Sequence, residues 1–167
     1  MNTHNFGWFK GDTVNLGVGQ GYLSATPIQL AYYSALLANK GSINKFSFVQ
    51  GFSDSIKDTI ESNNIYVSDW NKLHQSMIGV IDNPKGTAGR LRSLKDYKIA
   101  AKSGTVELVS TETKEDYKII RENEGNRDHA IIIAFGPMPN PKYAVSVVIE
   151  NGESGGSVAG PVAIAVM

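Results

Sequence analysis

Cysteine is absent from all 167 residues, so the chain has no disulfide, thiol nucleophile or thiolate metal site. Histidine is scarce: His4, His74 and His129 show no metal-ligand spacing, and the sulfur partners of common zinc sites are missing. Neither sign of charge is in excess. Sixteen basic and sixteen acidic residues cancel, which argues against a polyanion-binding surface and a nucleic-acid partner. Long apolar runs are also lacking; the best, residues 130–135 and 143–149, fall far below the roughly 20 residues of a membrane span. Residues 1–10 are polar and aromatic, with no apolar signal core. There are no repeats or low-complexity tracts.

What is present begins with Lys102-Ser103-Gly104-Thr105, at the end of a β-type run that starts at Tyr97. A cation, two hydroxyls and a glycine at the end of a strand suit a bound carboxylate. The lysine supplies charge, the hydroxyls supply oriented hydrogen bonds, and the glycine lets a ligand lie close to the backbone. A K-T-G element, together with S-x-x-K and S-D-N, is the signature set of serine β-lactamases and penicillin-binding proteins.

Residues 11–31 read Gly-Asp-Thr-Val-Asn-Leu-Gly-Val-Gly-Gln-Gly-Tyr-Leu-Ser-Ala-Thr-Pro-Ile-Gln-Leu-Ala. Asn83-Pro84-Lys85-Gly86-Thr87-Ala88 follows, then Asp128-His129-Ala130, Ala134-Phe135-Gly136-Pro137 and Glu150-Asn151-Gly152 through Gly155-Gly156-Ser157. In this order the segments resemble the class B penicillin-binding proteins, most closely the elongation-type penicillin-binding protein 2, from about Trp8 to the last residue. The resemblance implies an α+β fold, an α/β/α sandwich built on a five-stranded antiparallel sheet, with the tetrad on the third strand. It implies that residues 1–167 form a single partial transpeptidase domain, the C-terminal portion, without the S-x-x-K and S-x-N segments. The function implied is that of a peptidoglycan D,D-transpeptidase, with an acyl-serine intermediate formed on a serine outside this chain. Lys102 and Thr105 would be catalytic, and Lys102, Ser103, Gly104 and Thr105 would bind substrate and penicillin. The implied partners are peptidoglycan stem peptides, β-lactams, the missing N-terminal part of the domain and a glycan polymerase. No cofactor or metal is implied. The parent would face the periplasm from an inner-membrane anchor. The common family form is K-T-G-T-A; here Ser103 replaces threonine, keeping the hydroxyl, and Val106 replaces alanine.

The coarse pattern is helices followed by strands. Thr26-Pro27 predicts a helix start, with a hydroxyl cap and proline in the first turn, and Gly41 a stop after Asn39. Residues 45–52 alternate as a strand does. Ser68-Asp69 predicts the cap of a second helix whose inner face carries Trp70, Leu73, Met77, Val80 and Ile81, ended by Pro84 and Gly86. Residues 97–102 read as a strand, extendable through 106–109. Residues 112–127 are charged and without helical period, hence a surface loop. Residues 130–135 and 142–150 read as strands joined by a proline-rich turn, and a helix is expected from Ser157 onward. The implied architecture is a sheet of three consecutive antiparallel strands packed by helices.

Several tempting patterns carry little. Ser42-Ile43-Asn44-Lys45 satisfies S-x-x-K and Ser62-Asn63-Asn64 satisfies S-x-N. Ser42, however, follows a helix end and leads into a strand, whereas the chemistry needs serine and lysine on one helical turn. Gly17-Val18-Gly19-Gln20-Gly21 lacks both the third glycine of a dinucleotide turn and the Gly-Lys-Ser/Thr of a phosphate loop, and reads as a tight turn near the active-site floor. His129 beside Asp128 reads as structural. The alternative to a transpeptidase segment is a non-catalytic binding or scaffold module of the same fold.

Overall fold

The computed structural model describes residues 7–44, 57–59, 66–109 and 113–167. Its centre is a sheet of three antiparallel strands, β3 (Ala100–Val106), β4 (His129–Gly136) and β5 (Tyr143–Ile149), in the order β3-β4-β5. Ala100 pairs with Phe135 and Val106 with His129, while Gly136 pairs with Tyr143 and Ala130 with Ile149. A separate two-stranded ladder joins β1 (Ser42–Asn44) to β2 (Lys57–Thr59). The strand expected over 45–52 lies outside the described residues, as do Lys45 and Ser62.

Alternation along the strands divides the core in two. Ala100, Ile133 and Phe135 turn to one face, where they pack with Leu37, Ala38, Trp70, Met77 and Ile78. Those residues come from α2 (Pro27–Ala38) and α3 (Val67–Asp82). Ala101, Ala130, Ile132 and Ala134 turn to the other face, against Leu91, Ala159, Ala163 and Ile164. The latter belong to a 3-10 turn (Gly89–Leu94), a π turn (Gly155–Ala159) and α5 (Gly160–Val166). Helices therefore cover both faces of an antiparallel sheet, as the resemblance implies. Phe135 is fully buried; truncating such a side chain to alanine typically costs about 3–5 kcal/mol.

Local chemistry explains where the elements start and stop. Thr26 caps α2 by a reciprocal box, its hydroxyl accepting from Gln29 N at 3.3 Å while Gln29 Oε1 accepts from Thr26 N at 2.8 Å. The chain leaves α2 through Lys40 and Gly41, both at positive φ, with Gly41 N donating to Leu36 O at 2.8 Å.

Four boundaries differ from the sequence reading. α3 begins at Val67 after Tyr66, not after a Ser68 cap, and its buried face carries His74 where Leu73 was expected. His74 Nε2 donates to Leu37 O at 2.8 Å and its ring lies 5.3 Å from that of Phe135, so a polar residue holds a core position by satisfying the carbonyl at the end of α2. β3 begins at Ala100 and runs through the whole tetrad. The expected loop contains α4 (Lys114–Ile120), capped by Thr113, and a 3-10 turn (Glu124–Asn126). The final helical segment starts at Gly155, two residues before Ser157, with Ser154 as its cap. A short exposed helix, α1 (Lys10–Gly17), precedes the glycine turn.

Candidate active site

Among the described residues β3 pairs only with β4, so its other side is a free backbone edge. The tetrad lies on that edge. Residues directly opposite in an antiparallel ladder share a face. Lys102 is opposite Ile133 and Gly104 opposite Ile131, while Ser103 is opposite Ile132 and Thr105 opposite Ala130. The cation and the two hydroxyls therefore leave the strand on opposite sides of the same edge.

A cleft of about 890 Å³ runs along it, lined by Lys102, Ser103, Thr105, Thr87, Val18 and Gly155 among others. A second groove of about 620 Å³, between α3 and β3, shares Thr87 and Lys102 and adds Lys85. Lys102 stands where the two meet. Its Nζ donates to Ser103 O at 2.6 Å, and among the described residues no carboxylate pairs with it. Its charge is thus available to an anionic ligand.

Each hydroxyl has a protein partner. Ser103 Oγ lies 2.7 Å from Thr87 Oγ1, which projects from the turn after α3. Thr105 Oγ1 donates to Glu153 O at 3.4 Å, and Thr105 O accepts from Gln20 Nε2 at 3.2 Å. Gln20 sits between Gly19 and Gly21, whose φ values of 82° and 75° are the left-handed conformations glycine provides. The glycine turn therefore lies against the strand edge and helps wall the cleft, and Gln20 reaches it.

The opposite wall is a strained loop. Asn151 and Glu153 have φ of 55° and 64°, costly for non-glycine residues. Asn151 Nδ2 donates to Arg127 O at 2.8 Å, and Asn151 N donates to His129 Nδ1 at 3.0 Å. Glu153 N donates to Asp128 O at 2.8 Å, and Arg121 pairs with the Glu153 carboxylate at 2.7 Å. His129 is thereby a structural acceptor. Asp128 is buried and accepts from the Tyr117 hydroxyl. That bond, with burial, pushes the Tyr117 hydroxyl above its ordinary value of 10.0. Gly155 crosses the sheet so closely that a Cβ would stand 2.1 Å from Ile131 O and 2.6 Å from Gly104 O. Glycine is obligatory there. Among the described residues no cluster of histidine, aspartate and glutamate is arranged to hold a metal ion.

The structure brings Lys102, Ser103, Gly104 and Thr105 together on one cleft, and adds partners that spacing did not reveal. Thr87 and Glu153 meet the hydroxyls only through tertiary packing, 16 and 48 residues away in sequence. The signals available were the segments around them, residues 83–88 for Thr87 and 150–157 for Glu153. Ser42, of the S-x-x-K look-alike, lies in β1 and not on a helix.

A helix-covered antiparallel sheet with Lys-Ser-Gly-Thr on its free edge defines the class of penicillin-recognising serine acyl-transfer folds. The family profile of the penicillin binding protein transpeptidase domain matches residues 1–167, and the chain belongs to that family. The chain is 35% identical over 158 residues to the peptidoglycan D,D-transpeptidase MrdA of Escherichia coli, covering 90% of this chain and 25% of that protein. It superposes on Pseudomonas aeruginosa PBP2, solved with WCK 5153, with a TM-score of 0.70 and 36% identity over 96% of this chain and 32% of the other. Helicobacter pylori PBP2, solved in complex with MreC, matches with a TM-score of 0.75 and 27% identity over 96% of this chain and 27% of the other. The chain spans about a quarter of the length of the curated relatives it matches.

Proposed function

We propose that residues 1–167 form the C-terminal, substrate-carboxylate side of a peptidoglycan D,D-transpeptidase active site, a single partial domain completed by a segment that carries the nucleophile. The observation that supports this most directly is the Lys102–Thr105 tetrad on an unpaired strand edge facing a cleft. In this reading a serine of the completing segment attacks the carbonyl of a D-Ala-D-Ala stem. D-alanine leaves, and the acyl-enzyme passes to an amine of a neighbouring stem. Lys102 holds positive potential beside the substrate carboxylate, and the hydroxyls of Ser103 and Thr105 bind it. The Thr105 N–H serves as one of two oxyanion donors; losing one such donor typically costs about 3 kcal/mol of transition-state stabilisation. Penicillin occupies the same groove and leaves a stalled acyl-enzyme.

The parent protein would act at the periplasmic face of the inner membrane, held by an anchor outside these residues, together with a glycan polymerase. No helix among the described residues is long and apolar enough to cross a membrane. H. pylori PBP2 is solved with MreC, and a MreC-type protein is a candidate partner for the parent.

The test is intact-mass spectrometry of the complete domain after exposure to penicillin, in wild-type and Lys102→Ala forms. A single penicillin adduct on the wild type, abolished by Lys102→Ala, is the expected result. A folded Lys102→Ala protein that labels as fast as the wild type sinks the assignment. A wild type that never labels leaves the non-catalytic module as the better reading.

A further inference from the structure

Serine at position 103, where the K-T-G pattern has threonine, raises a physical problem that the fold answers. Threonine is branched at Cβ, which restricts its χ1; serine rotates among three staggered wells with little preference. A carboxylate-binding hydroxyl on serine needs something else to aim it. Ser103 Oγ lies 2.7 Å from Thr87 Oγ1, the ordinary separation of two hydrogen-bonded hydroxyls.

Thr87 is well placed to do the aiming because its backbone is packed from two sides. At Gly86 a Cβ would stand 2.3 Å from Val80 O, so the turn is pressed onto the end of α3. Ala88, fully buried, donates its N–H to Val80 O at 3.0 Å, and Gly89 N donates to Gly86 O at 3.0 Å. From the other side a Cβ on Gly156 would meet Thr87 O at 2.3 Å, so the chain after β5 closes over the Thr87 peptide. The Thr87 hydroxyl is thus a fixed point supplied by a packed turn.

Each hydroxyl carries one proton and can accept as well as donate. If Thr87 donates to Ser103 Oγ, the Ser103 proton is left free for an acceptor in the cleft, and the two bonds polarise one another in series. We propose that Thr87 is a positioning residue, which locks the Ser103 hydroxyl toward an anionic ligand and replaces the restraint that β-branching gives in K-T-G. The inference rests on the reading of Ser103 as a carboxylate ligand given above.

The experiment compares acylation of the complete domain by benzylpenicillin and by its carboxyl methyl ester, read as the acid-to-ester ratio of rates. A ratio is insensitive to the fraction of protein that is folded. Thr87→Val removes the hydroxyl at nearly constant shape. It should lower the acid rate roughly five- to tenfold, the worth of one neutral hydrogen bond, and leave the ester rate nearly unchanged. Adding Ser103→Thr to Thr87→Val should restore most of the ratio. If Thr87→Val does not fold, Thr87→Ala is measured with the same expectation. Equal losses for acid and ester would show a purely structural threonine and overturn the proposal. So would an unchanged ratio, or no rescue by Ser103→Thr. A wild type that neither ligand acylates would instead overturn the underlying reading of the site.

Discussion

At Gly41 one missing methyl group keeps two helices together. The residue sits at φ 87°, and a Cβ there would stand 2.8 Å from Trp70 Cζ2. Alanine would incur both the left-handed penalty and a clash with a buried indole. Gly41→Ala is expected to destabilise the fold by about 2 kcal/mol or more, read as a drop in unfolding midpoint. Tyr117 makes a different kind of residue-level contribution. Its hydroxyl donates to buried Asp128 only while protonated, and its pKa is raised, first by that bond and then by burial. A folded-state value above the unfolded one means stability that is fully present below the unfolded value of 10.0 and is lost as pH rises through the folded value. Tyr117→Phe should therefore cost about 2 kcal/mol at neutral pH, as for a hydrogen bond to a charged group. The gap between variant and wild type should close above pH 10. A gap that stays constant to high pH would contradict the assigned bond.

Elements carry the site through their ends more than their middles. β3 presents the tetrad because one of its edges has no neighbour among the described residues. The turns at both walls come close only because Gly86, Gly155 and Gly156 have no side chains. The helix that backs the sheet begins at a capping box, and Thr26→Ala should lower stability by about 1 kcal/mol in chemical denaturation. If the glycine turn holds the strand edge through Gln20, then Gln20→Ala should accelerate amide hydrogen exchange around Thr105 while leaving exchange at Phe135, in the core, unchanged. Uniform protection in both proteins would remove Gln20 from the site.

On the scale of the whole molecule, the unusual property is apolar surface left uncovered. Trp8, Phe9, Val18, Leu23 and Ile28 are each 44% or more exposed, and Val18 and Leu23 line the cleft. Surfaces of this kind promote association, and an open strand edge adds a template for pairing. The 167 residues by themselves are expected to self-associate, or to assemble with a second segment of the same domain. Light scattering and calorimetry provide the check: a monodisperse monomer that melts cooperatively would count against this expectation.

The amino-acid order alone determined the sheet's three strands, the start and stop of α2 and the tetrad. Each of these rests on local physics: short apolar runs bounded by turn residues, a hydroxyl cap before proline, a glycine after the last turn. The same order left no sign that Asp128 is buried beneath Tyr117. It also missed His74, whose burial depends on a carbonyl 37 residues away. Only the folded chain decided which side of β3 stays open and which residues touch the two hydroxyls. Thr87, Gln20 and Glu153 reach the strand because distant turns pack there, and the contacts between such turns leave no periodic trace in the chain that makes them.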